Sequence, residues 1–138
     1  MAGFWWALIA ALIWGLVPLI EKLGLGRVDP ILGLFYRCVG VSIGLIFLLI
    51  FILKPSQIKS IDLKSSLLLI SGGLLASFIG QIAFYKALKT GDISKIVPIA
   101  GSYPFISFIL GIFFLKEPTN PLKFFGVILI IVGIWWLK

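Results

Sequence analysis

The chain has 138 residues, 61% of them hydrophobic and 12% charged, with a formal net charge of +7. A soluble domain carries about a quarter charged residues, so this composition excludes an ordinary water-solvated surface and points to an all-α integral membrane protein. There is no histidine and one cysteine, which excludes histidine proton relays and histidine metal sites, an internal disulfide, and a structural zinc held by Cys38 alone.

The first apolar run, residues 3–20, holds no charge. No basic segment precedes it, so it reads as a first membrane helix and not a cleaved signal. No soluble domain is expected on either side of the apolar segments. Pro18 follows Trp14-Gly15 and predicts a bend. Glu21 comes directly after the run, flanked by Ile20 and Leu23. It is the candidate proton-coupling carboxylate, although Lys22 beside it suggests the membrane edge. Gly24, Gly26, Asp29 and Pro30 then mark a turn.

The second run covers residues 31–53 and contains only Arg37 as a charge. Arg37 lies about two turns into the helix, roughly 9–10 Å along its axis. It either snorkels to the headgroups or faces the interior, binding a carboxylate, a substrate anion or backbone carbonyls. Gly33, Gly40 and Gly44 share its stripe. After a turn with Lys54, Pro55, Ser56 and Asp62, the third run covers 65–85. It carries a small-residue seam of Gly73, Ala76, Gly80, Ala83 and Ala87, suited to close helix approach. Ser77, Gln81 and Tyr85 recur at i, i+4 and i+8 beside it and share a face. A buried amide in lipid needs partners, so Gln81 lines a cavity or acts as interhelical glue.

Gly91 is placed to end the third helix and Asp92 to cap the fourth, over residues 96–115. Pro104 inside that run lacks an N–H and frees the carbonyl of Ala100. Pro98 lies nearer the start, and Gly101 and Ser102 between them suit a broken helix. Such breaks survive in membranes only where protein or a wet cavity accepts the freed backbone groups, and they point to transporter sites and gates. Glu117 follows the run. Asn120 and Pro121 open a fifth helix, 121–137, as N-cap and first residue. Tryptophans 5, 6, 135 and 136 place aromatic belts at opposite faces.

Five crossings put Lys54, Lys59, Lys64, Lys116 and Lys123 on one side. Lys22, Arg27, Arg37, Lys86, Lys89, Lys95 and Lys138 fall on the other. This near balance is a weak orientation signal. It also accounts for the basic charge without nucleic acid, since the lysines sit between apolar runs.

Taken in order, these motifs resemble one EamA-type repeat of the drug/metabolite transporter superfamily. The resemblance rests on AALIWGLVPLIEKLGL at 10–25, FYRCVGVSIGL at 35–45, FYKALKTGDISKIVPIAGSYPFISFILGIFFLKEP at 84–118, and GVILIIVGIWW at 126–136. It covers nearly the whole chain and implies one membrane domain over 1–138. Typical members have ten helices in two inverted five-helix repeats, and here there is one repeat. The resemblance therefore implies a secondary transporter of small metabolites, amino acids or related polar solutes, working by alternating access as an antiparallel homodimer in the inner membrane of a prokaryotic cell.

The cavity expected for it is lined by Trp14, Arg37, Ser77, Gln81, Tyr85, Ser102 and Tyr103, with Pro18, Pro98, Gly101 and Pro104 as the breaks or gates. No cofactor and no metal are expected. Two alternatives stay open: a multidrug exporter or lipid-linked sugar flippase subunit, and a non-transporting partner subunit. An intramembrane enzyme is disfavoured, because there is no histidine, no carboxylate pair and no nucleophile–base arrangement.

The charge balance predicts insertion in both orientations. With Cys38 replaced by alanine and one cysteine at the C-terminal end, a membrane-impermeant thiol reagent should label about half the chains in intact cells and all after permeabilisation. All-or-none labelling of intact cells would mean a single orientation.

Overall fold

The computed structural model describes residues 2–136. All its regular elements are helical. They are α1 (Ala2–Leu25), α2 (Pro30–Phe47), α3 (Pro55–Lys59), α4 (Leu63–Leu74), α5 (Gly80–Thr90), α6 (Ile93–Ala100), α7 (Tyr103–Leu115) and α8 (Pro121–Trp136), with wider π-helical turns at Leu48–Ile52 and Leu75–Ile79. Four stretches are long and apolar enough to cross a membrane: Gly3–Leu25, Pro30–Ile52, Leu63–Thr90 and Ile93–Leu115. A fifth, shorter apolar helix is Pro121–Trp136. Leu137, the predicted end of the last span, and Lys138 lie outside the described residues.

The helices outrun the apolar runs. α1 continues through Glu21 and Lys22 to Leu25, and the third span continues through Lys86 and Lys89 to Thr90. Glu and Lys are good helix formers, so a charge ends an apolar run without ending a helix. Capping residues set the true ends. The Asp29 carboxylate accepts from the Ile31 N–H at 2.8 Å with Pro30 opening α2. Asp62 accepts from the Ser65 N–H at 2.9 Å. Hydrogen bonds from Ser65, side chain first and then backbone, hold the Asp62 carboxyl below the usual carboxylate range. The Asn120 side chain accepts from the Lys123 N–H at 2.8 Å. Two expectations need correcting. Asp92 sits at the N-cap position of α6 but makes no side-chain cap bond. Helix α5 stops before Gly91, yet no described glycine has positive φ, so a left-handed glycine cap is absent there.

The chain divides into two compact units, Leu19–Thr90 and Met1–Pro18 with Gly91–Lys138. Helix α1 is continuous across the boundary at Pro18, which lies in its interior. In the Leu19–Thr90 unit α2 packs on α5, and Leu25, Leu34, Tyr85 and Leu88 form a small buried core. Gly33 permits this approach: a Cβ there would lie 2.6 Å from the Leu25 Cδ2 and 3.5 Å from the Tyr85 ring. Gly40, Gly44 and Gly73, predicted as seam residues, face open space instead, since a Cβ on each would meet nothing within 4 Å.

In the other unit the fourth span breaks between α6 and α7. The Gly101 N–H bonds the Val97 carbonyl at 2.7 Å and the Ser102 N–H bonds Ile99 at 3.1 Å, a tightening turn. Pro98 lies inside α6, and Pro104 falls in the first turn of α7, where a missing N–H costs nothing. Helices α7 and α8 pack together, with Phe108 and Phe124 ring centroids 6.2 Å apart.

Large apolar side chains are exposed along nearly every helix, reaching 79% at Phe114 and 81% at Leu122. Water does not tolerate a continuous apolar surface of that kind. The chain is a multi-pass membrane protein whose solvent is lipid.

Helix α7 ends at Lys116 with φ 53°, the one non-glycine residue of positive φ among those described. The Glu117 N–H then returns to the Gly111 carbonyl at 3.2 Å. A side chain in the left-handed region costs about 1–2 kcal/mol, partly recovered by a lysine's attraction to a helix C-terminus. Lys116→Gly should therefore raise unfolding stability by about 0.5–1 kcal/mol in detergent denaturation.

Candidate functional site

The candidate site lies in the Leu19–Thr90 unit and is built around one carboxylate. Glu21 is one turn from the end of α1, with its side chain 11% exposed. Its Oε1 accepts the Tyr85 hydroxyl at 2.8 Å and the Gln81 amide at 3.1 Å. The same oxygen lies 3.3 Å from the Arg37 Nε, an ion pair between α1 and α2. Oε2 accepts a second, longer contact from Gln81 at 3.3 Å. Three helices thus meet on one carboxylate: α1 supplies the acceptor, α2 the cation, and α5 two neutral donors. Gln81 and Tyr85 are four apart on a helix, so both reach the same point.

The sequence offered two fates for Arg37, and the structure takes one. Arg37 turns inward, 28% exposed, onto Glu21. Its Nη1 also donates to the Ser77 carbonyl at 3.4 Å. Ser77 lies in the π-helical turn Leu75–Ile79. That extra residue shifts register between Ser77 and Gln81, so the predicted i, i+4, i+8 face is interrupted. The exposed Ser77 contributes its backbone, while Gln81 and Tyr85 contribute side chains. A π turn leaves no mark in residue type, which is why the periodicity missed it.

Two lysines missed by sequence reasoning tie the same helices together. The Lys89 ammonium donates to the carbonyls of Leu25 at 2.7 Å, Gly26 at 2.8 Å and Val28 at 2.9 Å. Its three N–H groups match the open carbonyls past the end of α1. Lys22 reaches the other way, to the Leu88 carbonyl of α5. Both lysines had counted only as topology charges. The usable signal was their place in the last turns of helices joined by short loops.

Beside the cluster lies a cavity of about 410 Å³, lined mainly by Ile20, Leu25, Val28 and Tyr36 together with Glu21, Arg37 and Tyr85. It offers an apolar wall and one ion pair. The remaining predicted cavity residues belong to the other unit. Trp14 is 64% exposed on α1, and Ser102 and Tyr103 stand at the break before α7. No group of three or more metal-ligating side chains occurs among the described residues.

Apolar helices enclosing a hydrogen-bonded ion pair define a polytopic membrane protein with a polar interior site. The chain matches the EamA-like transporter family over residues 1–138 and belongs to it. It is therefore a membrane transporter and not an enzyme. It is 37% identical over 101 residues to an uncharacterized protein of Methanocaldococcus jannaschii, covering 73% of each chain. It is 26% identical over 135 residues to an uncharacterized transporter of Clostridium kluyveri, covering 96% of this chain and 42% of the relative. It is 28% identical over 132 residues to an uncharacterized transporter of Sinorhizobium sp., covering 93% and 90%. No solved structure matches the chain.

Removing Arg37 alone leaves the Glu21 charge in an apolar setting. Arg37→Met should cost about 3 kcal/mol of stability. Combining it with Glu21→Gln should recover part of that loss. A double variant no more stable than Arg37→Met in denaturant titration would mean that the pair is not coupled.

Proposed function

We propose that the chain is one five-helix domain of a secondary transporter, moving a small polar organic solute by alternating access across a prokaryotic inner membrane. The observation that carries the reading is the Glu21 carboxylate, held by Arg37, Gln81 and Tyr85 among apolar helices. A part-buried ionisable group among apolar helices costs free energy that pairing and hydrogen bonds must offset, and such groups mark binding or coupling sites. The adjoining cavity is of small-molecule size. A solute bearing its own charged and polar groups competes for Arg37 and Glu21 by exchanging one set of donors for another.

Pairing with a second, inverted copy supplies the other half of a ten-helix arrangement. The near-balanced lysine count and the uncovered faces at Gly40, Gly44 and Gly73 support it. The broken span at Gly101–Ser102 and the proline inside α1 are the bending points on this reading. The multidrug-exporter alternative needs a buried Glu21 that can pair with an incoming cation; Glu21 is part-buried, but Arg37 already stands at it, which weighs against that alternative.

The test is counterflow in proteoliposomes of the full chain, with a mixture of radiolabelled neutral amino acids as the probe. Saturable exchange is expected, reduced at least about tenfold in Glu21→Gln and in Arg37→Met, corresponding to one lost charged contact. Equal exchange by wild type and both variants would remove the cluster from the mechanism.

A further inference from the structure

The unit that contains α6, α7 and α8 holds a second carboxylate in an unusual position. Glu117 doubles back over α7, with its Oε2 3.3 Å from where a Cβ on Gly111 would stand, and Gly111 is buried. This is the C-terminal end of α7, where backbone carbonyls already carry partial negative charge. Lys116 precedes Glu117 and Lys123 lies six residues on. Neither closes on it: among the described residues the ion pair is that of Arg37 with Glu21, and Lys123 donates instead to the Pro118 carbonyl at 2.9 Å. An anion, a helix C-terminus and two lysines thus sit close in the chain without cancelling.

The carboxylate opens on a groove of about 830 Å³ along α7 and α8, otherwise walled chiefly by Phe108, Leu110, Phe114 and Val127. The groove runs from Tyr103 in the middle of the apolar span Ile93–Leu115 to Glu117 just past its end, the level at which hydrocarbon gives way to headgroups. Its apolar wall is exposed, with Phe114 at 79%.

We propose that this groove binds a phospholipid with a zwitterionic, ammonium-bearing headgroup. The ammonium meets the Glu117 carboxylate and the negative end of α7, which together replace its water shell with charge-assisted acceptors. The phosphate falls to two exposed lysines, Lys116 just past α7 and Lys123 in the first turn of α8. One acyl chain covers Phe108, Leu110 and Phe114. A lipid with a phosphate and no ammonium would set a second anion beside Glu117. A soluble amine would leave the apolar wall uncovered.

The experiment is native mass spectrometry of the purified full chain, offered equimolar phosphatidylethanolamine and phosphatidylglycerol with identical acyl chains. Wild type should retain phosphatidylethanolamine about fivefold or more over phosphatidylglycerol, just under ~1 kcal/mol of selectivity at fivefold. Glu117→Gln should lower phosphatidylethanolamine retention to the level of phosphatidylglycerol and leave the latter unchanged. Parity or a preference for phosphatidylglycerol on the wild-type chain overturns the proposal, and that comparison decides even if the variant does not fold. Unchanged phosphatidylethanolamine retention in a folded Glu117→Gln also overturns it. A third arm adds soluble phosphoethanolamine: displacement of the lipid at equal concentration would assign the site to a soluble headgroup and overturn the lipid reading.

Discussion

A carboxylate among apolar helices has to be met by donors, and much of the Leu19–Thr90 unit follows from that requirement. Glu21 takes a hydroxyl from Tyr85, an amide from Gln81 and a guanidinium from Arg37. Satisfying it fixes the rotation of α1, α2 and α5 about their own axes, because α1 must present the carboxylate where one side chain of α2 and two of α5 reach the same oxygen. Gly33 allows the approach, and the buried side chains of Leu25, Leu34, Tyr85 and Leu88 fill what remains. The apolar core is too small to specify this packing alone. In lipid, helix association lacks the hydrophobic drive available in water, so polar contacts and close approach weigh more.

The lysine ties follow the same logic at the helix ends. Open carbonyls after α1 meet the Lys89 ammonium, and the end of α5 meets Lys22. Each helix thereby closes the other's backbone, with side chains that also favour the headgroup level. An ion pair and two cross-ties concentrated near one end of three helices give that end a defined geometry. Away from it, Gly40, Gly44 and Gly73 face open space. Small-residue faces of this kind let membrane helices approach closely.

The unit containing α6–α8 shows the complementary strategy, in which irregular backbone is placed where the chain must turn. Gly101 and Ser102 break the fourth span without a cis bond or a strained φ. Strain appears instead at Lys116, where the chain leaves α7 and turns Glu117 back over Gly111. Both features lie in the Pro98–Asn120 stretch, the most heavily punctuated part of the chain.

The all-helical class and the five apolar stretches were legible from composition and hydropathy, because a helix is the only open-ended way to hide a backbone in lipid; the short α3 and the splitting of spans into separate helices were not. The cap at Asn120, the turns at Asp29 and Asp62 and the break at Gly101–Ser102 were legible too, since those residue types act through local geometry. The helix end past Glu21 was not, because hydropathy measures solvent preference and the helix responds to propensity and capping; the end at Thr90 was marked by Gly91, though without a left-handed cap. Arg37 was visible as a costly residue, but its partner was not: Glu21 and Arg37 are sixteen positions apart on different helices, and only helix packing decides which oxygen a guanidinium reaches. The π turn that displaces Ser77, the three carbonyls gathered by Lys89 and the return of Glu117 onto Gly111 are likewise tertiary or backbone events. The sequence determined which groups had to find partners in lipid, by making them polar or charged in apolar surroundings. The tertiary structure decided which partners they found, because that choice depends on how the helices are rotated and how closely they approach.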